Sequence, residues 1–243
     1  MTRLLPQVVR GRDVGFVIGN GENAAAGFGL TKSVAEDLFY AGVDVLTGGN
    51  HMWDRKEILD FIEDESRILR PANYPDGVPG RGSGVFTAAG NVRVGVLSLL
   101  GRVFVKEVEC PFRAADAAVK ALMEETPIVI VDLHAEATSE KMAMGWHLDG
   151  RVSAVLGTHT HVQTADERIL PQGTAFISDV GMTGPFDSII GIEVEQALKR
   201  FLTQMPVRFT PAKGNVRMNA VLVDVDVDTG RALAIERIQL PLN

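Results

Sequence analysis

Short apolar runs alternate along the chain with longer stretches in which apolar residues recur at helical spacing. The runs fall at residues 14–18, 43–46, 92–99, 128–133, 152–156 and 175–178. Each is short and rich in β-branched residues, which predicts buried strands rather than helices. The helical stretches fall at 33–41, 55–63, 114–125, 139–146 and 192–203, with Thr31 or Ser33 placed to cap the first. This alternation predicts an α/β fold around a largely parallel core sheet. Residues 73–91 are rich in Gly and Pro and read as a loop with turns. Near the C-terminus, residues 221–227 alternate with period two, Asp228-Thr229-Gly230 supplies a turn, and residues 232–240 return. That is a β-hairpin, expected to extend the sheet in antiparallel fashion. Its acidic residues Asp224, Asp226 and Asp228 suit the solvated face of a strand and fit no calcium loop.

Composition narrows the picture. The 243 residues suit one domain spanning 1–243. With 46% hydrophobic and 23% charged residues, the chain can bury a sizeable core. A net charge of −7 argues against a nucleic-acid groove or a membrane surface as the main partner, so no stable nucleic-acid complex is expected. It leaves room for a small phosphorylated ligand, because bound metals reverse the local field. No apolar run reaches the about 18 residues of a membrane span, and the N-terminus lacks a secretory pattern. The single cysteine, Cys110, allows no internal disulfide and points to the cytoplasm. Cys110 itself reads as a small buried or loop residue.

The chemistry is concentrated in the histidines. There are 5, and His51, His134, His159 and His161 all follow predicted strands. Residues 43–46 lead into Thr47-Gly48-Gly49-Asn50-His51, residues 128–133 into His134-Ala135-Glu136, and residues 152–156 into Gly157-Thr158-His159-Thr160-His161. The run 14–18 leads into Gly19-Asn20-Gly21-Glu22-Asn23. Ligands of open α/β sheets bind beyond the carboxyl ends of the strands. These loops therefore deliver Glu, Asn and His to one edge, as a metal site requires. Imidazole with carboxylate and carboxamide oxygen suits Fe, Mn or Zn. A carboxylate such as Glu22 can bridge two cations, and a metal pair can clamp a phosphoryl group and its attacking hydroxide. His51, next to Asn50, is free to protonate a leaving alkoxide; the alternative is a residue that only orients its neighbours. His147 reads as a polar helix end. Gly181-Met182-Thr183-Gly184-Pro185 either lines the same cleft or is an ordinary turn.

These blocks resemble the calcineurin-like metallophosphoesterases. Gly49-Asn50-His51 is similar to that superfamily's Gly-Asn-His block, and residues 157–161 to its Gly-His-Thr-His block. The bacterial YmdB branch, which hydrolyses 2′,3′-cyclic nucleotides and related phosphodiesters, is closer still. Its features stand here as Gly21-Glu22-Asn23-Ala24-Ala25, Gly49-Asn50-His51-Met52-Trp53, residues 134–141, residues 157–162 and residues 181–185. The resemblance runs from about Leu4 to the C-terminal hairpin. It implies a metallophosphoesterase sandwich of mixed, largely parallel sheets flanked by helices, and two divalent or trivalent metal ions, iron or manganese. It implies that Glu22 bridges them, that Asn50, His134 and His159 hold one, that His161 helps hold the other with Asn23 close by, and that His51 is the proton donor. The expected activity is hydrolysis of 2′,3′-cyclic and also 3′,5′-cyclic nucleotides by metal-activated hydroxide. A phosphomonoesterase on the same scaffold is a neighbouring reading, and the family is compatible with a homo-oligomer.

The family's first strand ends in Gly-Asp, and that Asp is a metal ligand. Met1 falls inside what would be the following helix, so the sandwich is expected to lack that strand, the reason being a start assigned too late or a shortened chain. An impaired or inactive regulatory homologue that binds metal or nucleotide is the alternative this implies.

Overall fold

Alternate residues of the strands in the main sheet go to opposite faces, and what each face meets defines the layers of the molecule. The computed structural model describes residues 1–242. Three short strands, β1 (Ile18–Asn20), β2 (Val45–Thr47) and β3 (Ile68–Leu69), run parallel in a small sheet. The main sheet has six: β4 (Ser83–Thr87), β5 (Arg93–Leu100), β6 (Val129–His134), β7 (Ala154–Thr158), β8 (Arg168–Ile169) and β9 (Ala175–Ile177), in the order β4-β5-β6-β7-β9-β8. Its four central strands are parallel and its two edge strands antiparallel. A third sheet joins β10 (Gly184–Pro185) to the long hairpin of β11 (Val216–Val225) and β12 (Ala232–Pro241).

On one face of the main sheet, Leu97, Leu99, Val131, Leu133 and Val155 pack with Ala115, Val119 and Leu122 of helix α3 (Pro111–Met123) and with Met144 and Leu148 of helix α4 (Thr138–Leu148). On the other, Val94 and Val96 meet Val45 and Leu69 of the small sheet, while Ala154 and Ala175 meet Ala232 of β12. The small sheet is covered in turn by α1 (Leu5–Gly11) and α2 (Lys32–Tyr40) through Leu5, Ala35 and Leu46. The result is a sandwich of sheets with helices outside, as expected. Each large apolar side chain so enclosed contributes about 1.5–3 kcal/mol. Helix α5 (Val194–Thr203) lies apart, with only Ala197 buried.

Several elements depart from the sequence reading. Residues 55–63 form a 3₁₀ turn, Lys56–Asp60, rather than an α-helix. Ile58 and Ile62 are buried, but the Glu57 and Glu63 carboxylates accept from the backbone of Lys32 and Gly80 and tie the segment to neighbouring loops. Residues 73–91 hold β4, an edge strand whose one-sided pairing needs few apolar residues. The hairpin does not extend the main sheet; it forms its own sheet and stacks face to face through Ala232. The first strand begins at Ile18, because its register with β2 starts at the Ile18–Val45 pair. Thr31 is the cap of α2, accepting from Val34 N–H at 3.4 Å.

The layering places the site. Asp132, on β6, accepts from Asn20 Nδ2 at the end of β1 (3.0 Å), from Thr47 Oγ1 at the end of β2 (2.5 Å) and from Thr158 Oγ1 at the end of β7 (2.8 Å). One buried carboxylate thus fastens the carboxyl ends of strands from both sheets to a common point.

Candidate metal centre

The loops leaving those strand ends converge. Glu22 leaves β1, Asn50 leaves β2, His134 closes β6 and His159 follows β7. His134 Nε2 lies 2.9 Å from Glu22 Oε1, 2.9 Å from Asn50 Oδ1 and 3.0 Å from His159 Nδ1. Ligand atoms of Glu22, His134 and His159 all lie within 4.8 Å of one another. Glu22 and His134 are buried and His159 is half-buried.

With both rings neutral, as metal ligation requires, these contacts are not ordinary hydrogen bonds. Thr158 donates its hydroxyl proton to Asp132, so its oxygen accepts from His134 Nδ1–H at 2.9 Å. In the neutral ring this leaves Nε2 with a lone pair. His159 Nε2 lies 3.2 Å from the Glu136 carboxylate and donates to it, which leaves a lone pair on Nδ1. Glu22 Oε1 and Asn50 Oδ1 are acceptors as well. With the rings in that form, four lone pairs face one point. A cation is what such a donor set fits. The far nitrogen of each ring is tied to a carboxylate, directly in His159 and through Thr158 in His134, which is the usual support of a metal ligand.

The electrostatics agree. Burial pushes the His159 imidazolium down to about 4, with the neighbouring His134 acting in the same direction, so the ring is neutral and ready to ligate. Burial acts to raise the Glu22 carboxyl, but the adjoining His134 ring and the His51 N–H outweigh it and hold Glu22 below the usual range. Burial raises the Asp132 carboxyl against the hydrogen bonds from Thr47, Asn20 and Thr158.

A second cluster adjoins the first. His161 Nδ1 donates to the Ile190 carbonyl at 2.9 Å, which leaves Nε2 as an acceptor 3.4 Å from Asn23 Nδ2. Asn23 Nδ2 also donates to Glu22 Oε1 at 3.2 Å, and its Oδ1 is buried without a partner. An orphaned acceptor beside Glu22 and His161 also suits a cation.

His51 stands at the rim. Its N–H donates to Glu22 Oε2 at 3.1 Å, and its ring Nδ1 lies 2.8 Å from Asp54 Oδ2. The ring packs edge-on against Phe28, and about a third of it is exposed. Gly49 has no room for a side chain: a Cβ would overlap Glu22 Oε2 and the His134 ring.

His159 and His161 have φ of +102° and +68°, a region non-glycine residues enter only under constraint. The constraint is Asp179. Its Oδ2 accepts from Thr160 N–H at 2.9 Å and Thr160 Oγ1 at 2.7 Å, and its Oδ1 from Gly181 N–H at 2.8 Å.

The structure therefore brings Glu22, Asn50, His134 and His159 together, sets His161 and Asn23 against Glu22, and leaves His51 beside them. His147 stays apart, at the end of α4 against Asp116. Met182 of the 181–185 turn lines a cleft that has His161 in its wall. The sequence reading missed Asp132, Thr158, Glu136, Asp54, Lys141 and Asp179. One signal was available: a lone acid in the buried run Val131-Asp132-Leu133 costs too much to be idle.

Residues 1–238 match the family described as YmdB-like protein. The chain is 52% identical over 223 residues to the 2′,3′-cyclic-nucleotide 2′-phosphodiesterase of Bacillus subtilis (strain 168), covering 92% of this chain and 84% of that protein. It superposes on the crystal structure of a hypothetical protein from Thermus thermophilus with a TM-score of 0.92 at 45% identity, covering 99% of this chain and 92% of that one. It superposes on a Mycoplasma pneumoniae phosphatase with a TM-score of 0.91 at 35% identity, covering 99% and 87%.

Proposed function

The chain belongs to the YmdB-like family, a hydrolytic phosphoesterase branch of the metallophosphoesterases, and on that premise we propose that it is a metal-dependent phosphodiesterase that opens 2′,3′-cyclic nucleotides. Water adds to phosphorus, the bond from phosphorus to the 2′ oxygen breaks, that oxygen takes up a proton, and a nucleoside 3′-phosphate leaves. The Bacillus subtilis relative is a 2′,3′-cyclic-nucleotide 2′-phosphodiesterase. Hydrolysis of 3′,5′-cyclic nucleotides is the secondary activity of this reading.

The observation that carries it is the convergence of Glu22, Asn50, His134 and His159 around one point. In this reading Asn50, His134 and His159 would hold one metal, His161 and Asn23 would serve a second, and Glu22 would serve both. The donors suit iron, manganese or zinc, and the family resemblance favours iron or manganese. The bound ions supply Lewis-acid polarisation of the phosphoryl oxygens and activation of water.

The chain's own residues do the rest. His51 is the proton donor to the departing 2′ oxygen. Asp54 Oδ2 pairs with its Nδ1, which leaves Nε2 for the substrate, and Glu22 Oε2 accepts from its backbone N–H, which fixes the residue relative to the centre. Such a donor contributes about 10²–10⁴-fold. Lys106 Nζ donates to the Asn50 carbonyl at 2.6 Å and steadies the loop that carries both residues. We read residues 1–243 as one domain acting in the cytoplasm on a small-molecule diester, as a homo-oligomer in keeping with the family.

The test is an assay of the purified chain with added Mn²⁺ on 2′,3′-cyclic, 3′,5′-cyclic and monoester substrates. Ring opening of the 2′,3′-cyclic nucleotide to the 3′-phosphate is expected to dominate. Dominant monoester hydrolysis would reject the diesterase reading, and nucleotide binding without turnover would reject catalysis.

A further inference from the structure

A cleft of about 480 Å³ adjoins the centre at His161. His161 belongs to both: its ring faces Asn23 through Nε2 and forms part of the cleft wall. A substrate whose phosphate lies at the Glu22 cluster can therefore extend across His161 into this space. The volume lies within the about 300–1,000 Å³ of small-molecule sites.

Two features of the cleft are built rather than incidental. Phe186 is a half-buried ring in its wall. The Arg217 guanidinium lies 5.1 Å from the ring centroid and is itself held by Asn215 Oδ1 at 3.0 Å and Gln239 Oε1 at 3.1 Å. A ring backed by an anchored cation is a stiff platform for a flat ligand. The second feature is Gln163. Its side-chain nitrogen donates to three carbonyls, Val180 at 3.1 Å, Ala220 at 3.0 Å and Ile238 at 3.4 Å. Three acceptors around that atom fix which end of the amide is nitrogen. The other end, Oε1, makes no hydrogen bond to the described residues, which leaves an acceptor of fixed identity on a residue that lines the cleft.

We infer that this cleft takes the nucleoside of the substrate, with the base stacked on Phe186 and an exocyclic amino group donating to Gln163 Oε1. Adenine and cytosine carry that donor on their pairing edge. Hypoxanthine and uracil present a carbonyl oxygen at the same place and would meet Gln163 acceptor to acceptor. The inference rests on the phosphodiesterase reading for its choice of ligand.

The experiment compares wild type with Phe186→Ala and Phe186→Tyr on 2′,3′-cyclic AMP, CMP, IMP and UMP and on bis(p-nitrophenyl) phosphate, and measures adenosine 3′-phosphate binding by calorimetry. Base stacking on an aromatic ring supports an expected loss of about tenfold or more for Phe186→Ala on cyclic AMP relative to the nitrophenyl diester. Phe186→Tyr should restore it. Wild type should favour cyclic AMP over IMP and CMP over UMP by about tenfold. Equal losses on both substrate types, or equal adenosine 3′-phosphate affinity in wild type and Phe186→Ala, overturn the nucleoside site. Binding that depends on Phe186 without turnover of any cyclic nucleotide upholds the site and overturns the phosphodiesterase reading.

Discussion

Lys141 Nζ lies 3.0 Å from Asp179 Oδ2, with both side chains almost wholly excluded from water. A buried ion pair is a weak source of net stability, but removing one partner strands the other charge. Here the pair has a further duty. Lys141 also reaches Thr160 Oγ1 at 3.4 Å, and Asp179 holds the Thr160 backbone between two histidines of positive φ. Asp179→Ala is therefore expected to lose about 3–5 kcal/mol of stability and to bind metal substoichiometrically. Thermal unfolding and elemental analysis of the same preparation check both. A normal metal content would show that the turn keeps its shape unaided.

The histidines should separate cleanly by metal content. His159→Ala removes one of four converging donors, so most of the metal should be lost on desalting. His147→Ala should retain it, because His147 bonds Asp116 at the far end of α4. Full retention by His159→Ala would strike His159 from the ligand set.

His51→Ala should keep its metal and lose turnover. The loss should be about 10²–10⁴-fold with a ribose leaving group and much smaller with p-nitrophenolate, which departs without a proton. Asp54→Asn should show a weaker form of the same pattern, since Asp54 acts only through the His51 ring. Equal losses on both leaving groups would remove the acid role.

Gly49→Ala touches no ligand by name, yet its methyl would occupy the space of Glu22 Oε2 and the His134 ring. The expected outcome is loss of metal as severe as that of His159→Ala, in a chain whose far-ultraviolet circular dichroism is unchanged. Metal binding at wild-type strength would mean that the loop can yield.

Much of this was legible in the order of residues. The strand ends, the Glu, Asn and His that follow them, and the α/β alternation all follow from local pattern, because buried parallel strands are apolar runs and their ligands sit just beyond them. What was not legible depends on distant pairs. Asp132 looks like an interruption of an apolar run until Asn20, Thr47 and Thr158 arrive from three other strands. Lys141 and Asp179 are 38 residues apart, and nothing local marks them as partners. The hairpin strands are plain from their period of two, but whether they join a sheet or stack on one is decided by the small residues Ala154, Ala175 and Ala232. The Arg55 to Glu63 stretch has helical spacing, yet its carboxylates serve neighbouring backbone instead.

The close approach of His134 and His159 has a consequence for the life of the protein. The four donors converge only in the folded chain, so metal binds the folded form in preference to the unfolded one. Metal uptake therefore adds to stability a contribution that grows as the logarithm of the free metal concentration. The melting temperature should thus read out the metal supply, and a cell short of metal would hold less of this protein in the folded form.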